Sequence, residues 1–154
     1  MLMFIAELNG LETWATDISS ACLESYTKEK VHIIAGPEFG EREGHTLIIV
    51  KALYGLKSSG LRWHEKFSDV LRKMDFFPSK AERDIWMRKQ DDHYEHIGVC
   101  VDDLLLISKD PQGIVDTLRR EHKFEQKGTG AVDYHLGCDF FRDKDKNLCY
   151  APKK

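Results

Sequence analysis

No apolar stretch of the 154-residue chain approaches the roughly 18 residues that a membrane-spanning helix requires. The apolar start from Met1 to Ala6 is short and lacks a basic flank, so a signal peptide is not expected. Cysteine is scarce. Cys22, Cys100, Cys138 and Cys149 show no C-x-x-C spacing, so reduced thiols in an intracellular protein are expected rather than a disulfide or zinc framework. Only 4 prolines are present, and no linker or low-complexity tract interrupts the chain, so a single domain over 1–154 is expected. Positive charge is also lacking. A net charge of −3 excludes a protein that grips nucleic acid by bulk charge alone. It leaves room for a nucleic-acid enzyme whose phosphate-binding surface lies on other domains. Against these absences stand 42% hydrophobic and 32% charged residues, the balance of a soluble globular domain with a core of its own.

Hydrophobic periodicity supplies the elements. Residues 1–8 form the end of a helix stopped at Asn9-Gly10, and Thr13 to Ile18 a short strand that delivers Asp17 to its end. Val31 to Ile34 is a strand closed by Gly36-Pro37, and the continuous run Leu47 to Val50 predicts a strand buried on both faces. Trp63, Phe67, Val70, Leu71 and Met74 make one stripe of an amphipathic helix over Ser58 to Met74. Asp84 to Arg88 follows as a strand. His96 to Val101 and Leu104 to Ser108 are apolar strands of a hairpin with Asp102-Asp103 at its tip. Asp110-Pro111 opens a helix buried through Ile114, Val115 and Leu118, and Phe124 to Tyr150 breaks into short strands joined by turns. The order lacks regular βαβ alternation, which predicts an α+β fold.

Three features carry chemistry. In Cys100-Val101-Asp102-Asp103-Leu104 two adjacent carboxylates sit between apolar strands, where like charges repel and raise each other's pKa. A hard divalent cation with a preference for oxygen ligands relieves that repulsion, and a solvated Asp-Asp turn is the plainer alternative. Asp17 is a second carboxylate at a strand end, or simply a helix cap. Leu53-Tyr54-Gly55-Leu56-Lys57 leads from a strand into a helix, with Lys57 and Arg62 near the helix start. Backbone N–H groups and basic side chains there suit a phosphate or a base edge, unless the turn is structural only.

The order of these features resembles the reverse transcriptase of copia-type long-terminal-repeat retrotransposons. Asp17, Ala21 and Leu23 match that family's Asp-x-x-x-Ala-Phe-Leu block. Leu53 through Lys57, Ser59 and Trp63 match its Leu-Tyr-Gly-Leu-Lys-Gln-Ser-Pro-x-x-Trp block, and Val101-Asp102-Asp103 its Tyr-Val-Asp-Asp. Similar segments recur at Gly36-Pro37-Glu38-Phe39, Ser79-Lys80-Ala81-Glu82-Arg83-Asp84 and Tyr134-His135-Leu136-Gly137, so the resemblance covers essentially the whole chain. It implies a polymerase palm: a ferredoxin-like antiparallel sheet with helices packed on one face. It further implies that Asp17, Asp102 and Asp103 hold two Mg²⁺ ions, with Mn²⁺ a substitute, for nucleotidyl transfer to a primer 3′-hydroxyl. Asp17 and Asp102 are then the main ligands and Asp103 the more peripheral one. Ile18, Cys22, Tyr54, Gly55 and Lys57 fall at nucleotide-contacting positions, and Lys127 at the place of a general acid for the leaving pyrophosphate.

The partners so implied are an RNA or DNA template–primer, deoxynucleoside triphosphates and the other polyprotein domains, in a cytoplasmic virus-like particle and with no membrane. Fingers strands are expected upstream of this segment and thumb and RNase H beyond it, with integrase among the remaining polyprotein domains. For that reason the chain by itself is expected to extend a primer poorly. Cys22 stands where the family has an aromatic ring that excludes the ribose 2′-hydroxyl, and Cys100 where it has tyrosine. Ser58 and Gly60 replace the usual Gln and Pro. Such departures suit a diverged copy, and a catalytically inactive remnant with at most metal or protein binding is the alternative reading. Two other patterns are discounted. His93, His96 and Cys100 have zinc-like spacing, but strand alternation sends the two histidines to opposite faces. Asp143 to Asn147 lacks the glycine and glutamate of a calcium loop and is expected to be a charged hairpin turn.

Overall fold

A computed structural model describes residues 1–152. Lys153 and Lys154, the last positions of the expected domain, lie outside the described residues. In chain order the helices are α1 (Leu2–Asn9), α2 (Ser59–Lys73) and α3 (Pro111–Arg120). The strands are β1 (Glu12–Ile18), β2 (Tyr26–Ile34), β3 (Thr46–Lys51), β4 (Phe77–Pro78), β5 (Ile85–Gln90), β6 (His93–Cys100), β7 (Asp103–Ser108), β8 (Gln126–Ala131), β9 (Tyr134–His135), β10 (Cys138–Arg142) and β11 (Leu148–Pro152). The mixture is α+β, and every strand pairing is antiparallel. Two compact units share the described residues, one of Met1–Ser19 with the chain from Val70 onward and one of Ser20–Asp69. No helix among the described residues is long and apolar enough to cross a membrane.

The larger unit is built on a six-stranded sheet in the order β4-β5-β6-β7-β1-β8. One of its two central strands, β7, carries Leu104, Leu105, Leu106 and Ile107, all buried. An unbroken apolar run has no polar face to give to water, so it must be covered on both sides. On one side α1 sets Leu2 and Ala6, with Leu11, against Leu105 and Ile107. Gly98 lies opposite Leu105, and a β-carbon there would meet Leu2 Cδ1 at 2.7 Å, so the Leu2 side chain packs close over the bare glycine backbone. On the other side Leu104 and Leu106 are fully buried, and α3 runs against β1 and β7 with Ile114, Val115 and Leu118 buried. Coverage on both faces corrects the expectation of helices on one face only. The cause is α1, whose short apolar stripe seals the face that helices between the strands would leave open.

The end of the sheet where β7 meets α3 holds a buried charge. Glu95 on β6 is 4% exposed and accepts hydrogen bonds from Arg88 Nε (2.9 Å) and Nη2 (2.7 Å) on β5, and from the Ser108 hydroxyl. Ser108 Oγ accepts the Asp110 N–H at 2.8 Å, and Asp110 Oδ1 accepts the Gly113 N–H at 3.0 Å as the cap of α3. Arg88 also donates to the Met74 carbonyl and lies 4.5 Å from the Phe76 ring centre. Three further strands, β9 to β11, form a small sheet with a charged turn, in which Asp143 accepts from the Asp145 and Asn147 N–H groups. Arg142 on β10 makes a two-pronged pair with Glu7 of α1, at 2.9 and 2.6 Å.

The smaller unit holds the β2–β3 ribbon and most of α2, where Trp63 stacks on Phe67 at 5.0 Å. The run Leu47 to Val50 is not buried on both faces. Ile48 is 73% and Val50 58% exposed, while Leu47 and Ile49 are half-buried. A ribbon of two strands has one face to shield and no third strand to enclose it, so the apolar run alternates like any ribbon strand.

Two measurements test this account. Glu95→Ala leaves Arg88 without its carboxylate inside the sheet, and urea denaturation should show a loss of about 3–5 kcal/mol. His96, buried with Nδ1 unpartnered, has its pKa lowered by burial from 6.5. The unfolded chain then binds the extra proton first, so stability is complete above pH 6.5 and falls as pH drops through and below that value. Denaturation midpoints between pH 7.5 and about pH 5 should show the fall, and His96→Gln should flatten it.

Candidate active site

β1 and β7 pair in one unbroken register from Glu12 with Ser108 to Asp17 with Asp103. Residues directly opposite in an antiparallel ladder project on the same face, with α-carbons roughly 4.5–5.5 Å apart. Asp17 and Asp103 therefore face each other at one end of the sheet. They share the face of Leu105 and Ile107, which α1 covers further along. Asp102 belongs to the turn. β6 ends at Cys100, paired with Asp103, so the hairpin tip is Val101-Asp102. This corrects the expected Asp102-Asp103 tip: a two-residue turn closes the register, and Asp103 is already the first residue of β7. The Asp102 carbonyl accepts the Ile18 N–H at 2.9 Å, which ties the tip to the end of β1.

The turn is strained. Val101 has φ 58°, the left-handed region that a β-branched side chain rarely adopts, while its side chain stands in solvent. Its backbone holds Asp102 beside Asp17 and Asp103.

On the other flank of β1, Asp17 pairs with Lys127 of β8. Lys127 Nζ lies 3.1 Å from Asp17 Oδ1, an oxygen that is buried and makes no hydrogen bond. The ammonium thus contacts the carboxylate as a charge, off the angle that a hydrogen bond needs. His135 on β9 also feels this site. Burial pushes its pKa down from 6.5, and the Asp103 charge opposes that shift. Nothing local in the sequence marks His135, since only proximity in the fold relates it to Asp103.

The remaining candidates are Ile18, next to Asp17, and four residues of the smaller unit. Ile18 is fully buried at the end of β1. Cys22 is buried in a short 3-10 turn, Ala21–Glu24, of the smaller unit. Tyr54 is 64% exposed, Gly55 has φ 94°, and Lys57 is exposed, all in the loop before α2. The Ser59 hydroxyl donates to the Leu53 carbonyl and closes that loop onto the helix. Arg62 is engaged with Glu65 at 2.6 Å.

Asp17 and Asp103, paired in register, and Asp102 in the adjoining turn are hard oxygen donors of the kind that Mg²⁺ and Mn²⁺ prefer, and Asp17 Oδ1 is buried without a hydrogen bond. The donor chemistry therefore fits a divalent cation. Among the described residues, no three His, Cys, Asp or Glu side chains stand converged as a ready metal-binding group. The register supplies proximity rather than a finished cage.

A family model described as reverse transcriptase (RNA-dependent DNA polymerase) matches residues 1–150. The chain belongs to the reverse transcriptase family. Its curated relatives are retrotransposon polyproteins of the Ty1/copia type, which agrees with a copia-type reverse transcriptase. A retrovirus-related Pol polyprotein from transposon TNT 1-94 of Nicotiana tabacum is 23% identical over 93% of this chain and 11% of its own length. The Pol polyprotein from transposon RE1 of Arabidopsis thaliana is 25% identical over 80% of this chain and 9% of its own length. The transposon Ty1-NL2 Gag-Pol polyprotein of Saccharomyces cerevisiae is 30% identical over 80% and 7%. The chain thus spans about a tenth of these relatives. No solved structure matches it.

The strain at the tip is open to test. Val101→Gly keeps the turn and removes the penalty of a β-branched residue at positive φ, while the exposed side chain has little packing to lose. Chemical denaturation should show a gain of about 1 kcal/mol, and Val101→Ala should give much less of it.

Proposed function

We infer that this chain is the palm portion of an RNA-directed DNA polymerase and performs nucleotidyl transfer within a retrotransposon polyprotein. The observation that carries the reading is the register Asp17 with Asp103, with Asp102 held beside them by the hairpin turn. The strand order supports it. Within the sheet β8-β1-β7-β6 runs antiparallel, with α2 between β1 and β6 and α3 between β7 and β8, which is a ferredoxin-like order.

Asp17, Asp102 and Asp103 are the residues that would hold Mg²⁺, or Mn²⁺ in its place. The chemistry that such ions would supply is activation of the primer 3′-hydroxyl and neutralisation of charge on the departing pyrophosphate. The carboxylates' own part is to offer ionised oxygens at one sheet end. Lys127 holds a proton at Nζ beside that end and can give it to a leaving group. The nucleotide-contact roles of Ile18, Cys22, Tyr54, Gly55 and Lys57 rest on their motif match. A cysteine at position 22 offers less bulk than a ring against a ribose 2′-hydroxyl, so weak discrimination between deoxy- and ribonucleotides goes with this reading. The substrates are a template–primer and deoxynucleoside triphosphates, and the remaining polyprotein segments are the partners.

Thermal melting with Mn²⁺ tests the carboxylates. Against a dissociation constant near 1 mM, about 5 mM Mn²⁺ adds about 1 kcal/mol of stability, and Asp17→Asn or Asp102→Asn should abolish the rise in Tm. Primer extension on an RNA template is the companion assay. Whatever extension the chain supports must vanish in Asp102→Asn. A melt indifferent to Mn²⁺, or extension that survives this substitution, would overturn the reading.

A further inference from the structure

Asp17 has a like charge opposite it on one side and an unlike charge on the other: Asp103 of β7 and Lys127 of β8. The second pairing depends on an irregularity. Ala15 pairs with Gly130, and two residues later Asp17 pairs with Lys127, three residues back along β8. β8 therefore inserts one extra residue opposite Thr16, which is a β-bulge. Gly128 carries it with φ 60°. The Thr16 and Thr129 hydroxyls meet at 2.7 Å across it and fix the slip. In an unbroken ladder Gly128 would stand opposite Asp17, and Lys127 would project from the other face, because successive side chains alternate. The bulge is what turns Lys127 toward the carboxylate.

Two or three carboxylates at one sheet end repel one another, and a cation lowers that cost. Lys127 supplies it, with Nζ 3.1 Å from the buried, hydrogen-bond-free Asp17 Oδ1. The contact is loose by construction. The lysine side chain is 69% exposed and ends in a compact charge on a flexible stem, so it can leave without disturbing the sheet. We propose that Lys127 is a bulge-positioned internal counter-ion of Asp17, which occupies the carboxylate in place of a divalent cation and is displaced when one binds. The proposal rests on the reading of Asp17, Asp102 and Asp103 as metal ligands. It adds an order of events: the ammonium set free from Asp17 is the one then available as a proton donor.

The experiment measures Mn²⁺ affinity directly, from the electron paramagnetic resonance signal of free Mn²⁺, at moderate salt. Lys127→Met removes the charge and keeps the stem, and should tighten Mn²⁺ binding about five-fold, the weight of a displaced unit charge acting on the divalent ion from about 8 Å in a water-like dielectric. Lys123→Met, at an exposed lysine that instead donates to the Arg120 carbonyl, should leave the affinity unchanged. In an Asp17→Asn background, Lys127→Met should no longer matter. Gly128→Val, which disfavours the bulge, should reproduce the Lys127→Met gain, and Lys127→Met alone decides if that variant does not fold. Equal or weaker Mn²⁺ binding by Lys127→Met, with the native chain binding, would overturn the proposal and leave the carboxylate site standing. No Mn²⁺ binding by any variant would overturn both.

Discussion

The antiparallel ladder between Glu12–Ile18 and Asp103–Ser108 is the constraint on which the rest depends. One register does two jobs. Toward the middle of the sheet it stacks the buried residues of β7 between α1 on one face and α3 on the other. At its end it sets Asp17 against Asp103 and brings the Val101-Asp102 turn onto Ile18. A slip of one residue would flip every β7 side chain and take Asp103 off the face of Asp17. The hydrophobic stripe therefore fixes the carboxylates: the burial that pins Leu105 and Ile107 under α1 also pins Asp103 four residues before Ile107. Folding energy and site geometry are set by the same hydrogen bonds.

The two ends of that sheet treat charge in opposite ways. At the end near α3, Glu95 is sealed from water and fully answered by Arg88 and Ser108. Buried acids persist only with such partners. At the other end Asp17 keeps a buried oxygen with no hydrogen bond, Val101 keeps a strained φ, and the lysine nearby is free to leave. Incomplete satisfaction beside a strained turn marks this end as the more adjustable one, while complete satisfaction makes the Glu95 end a strut.

Much of this was legible in the sequence. The Leu104 to Ile107 run, the Asp110-Pro111 cap and the stripe of α2 are local signals, and the elements formed where those signals lie. The order of the Asp17, Tyr54-Gly55 and Asp102-Asp103 blocks carried the family. Other features were not legible, for physical reasons. A solitary Glu95 in a strand gives no sign that Arg88 will neutralise it, because that pairing exists only once β5 and β6 are in register. The Leu47 to Val50 run reads as a buried strand, but exposure depends on how many strands flank it. The hairpin tip shifted by one residue because turn closure, not composition, decides which residues pair. α1 gave no warning that it would cap the second face, since Leu105 and Ile107, which it covers, lie far away in sequence.

The bulge in β8 completes the argument about polarity. A sheet end with Asp17 and Asp103 alone would carry two negative charges on one face and nothing to balance them nearby on that face. One inserted residue in the neighbouring strand changes the sign of what Asp17 meets, without altering the β1–β7 ladder that sets the carboxylates. The edge position of β8 makes this cheap, because an edge strand can kink without breaking pairing on a further side. The central strands hold the acids rigidly, and the edge strand holds the base adjustably. That division suits a site in which the acids must stay in place while the charges around them are exchanged.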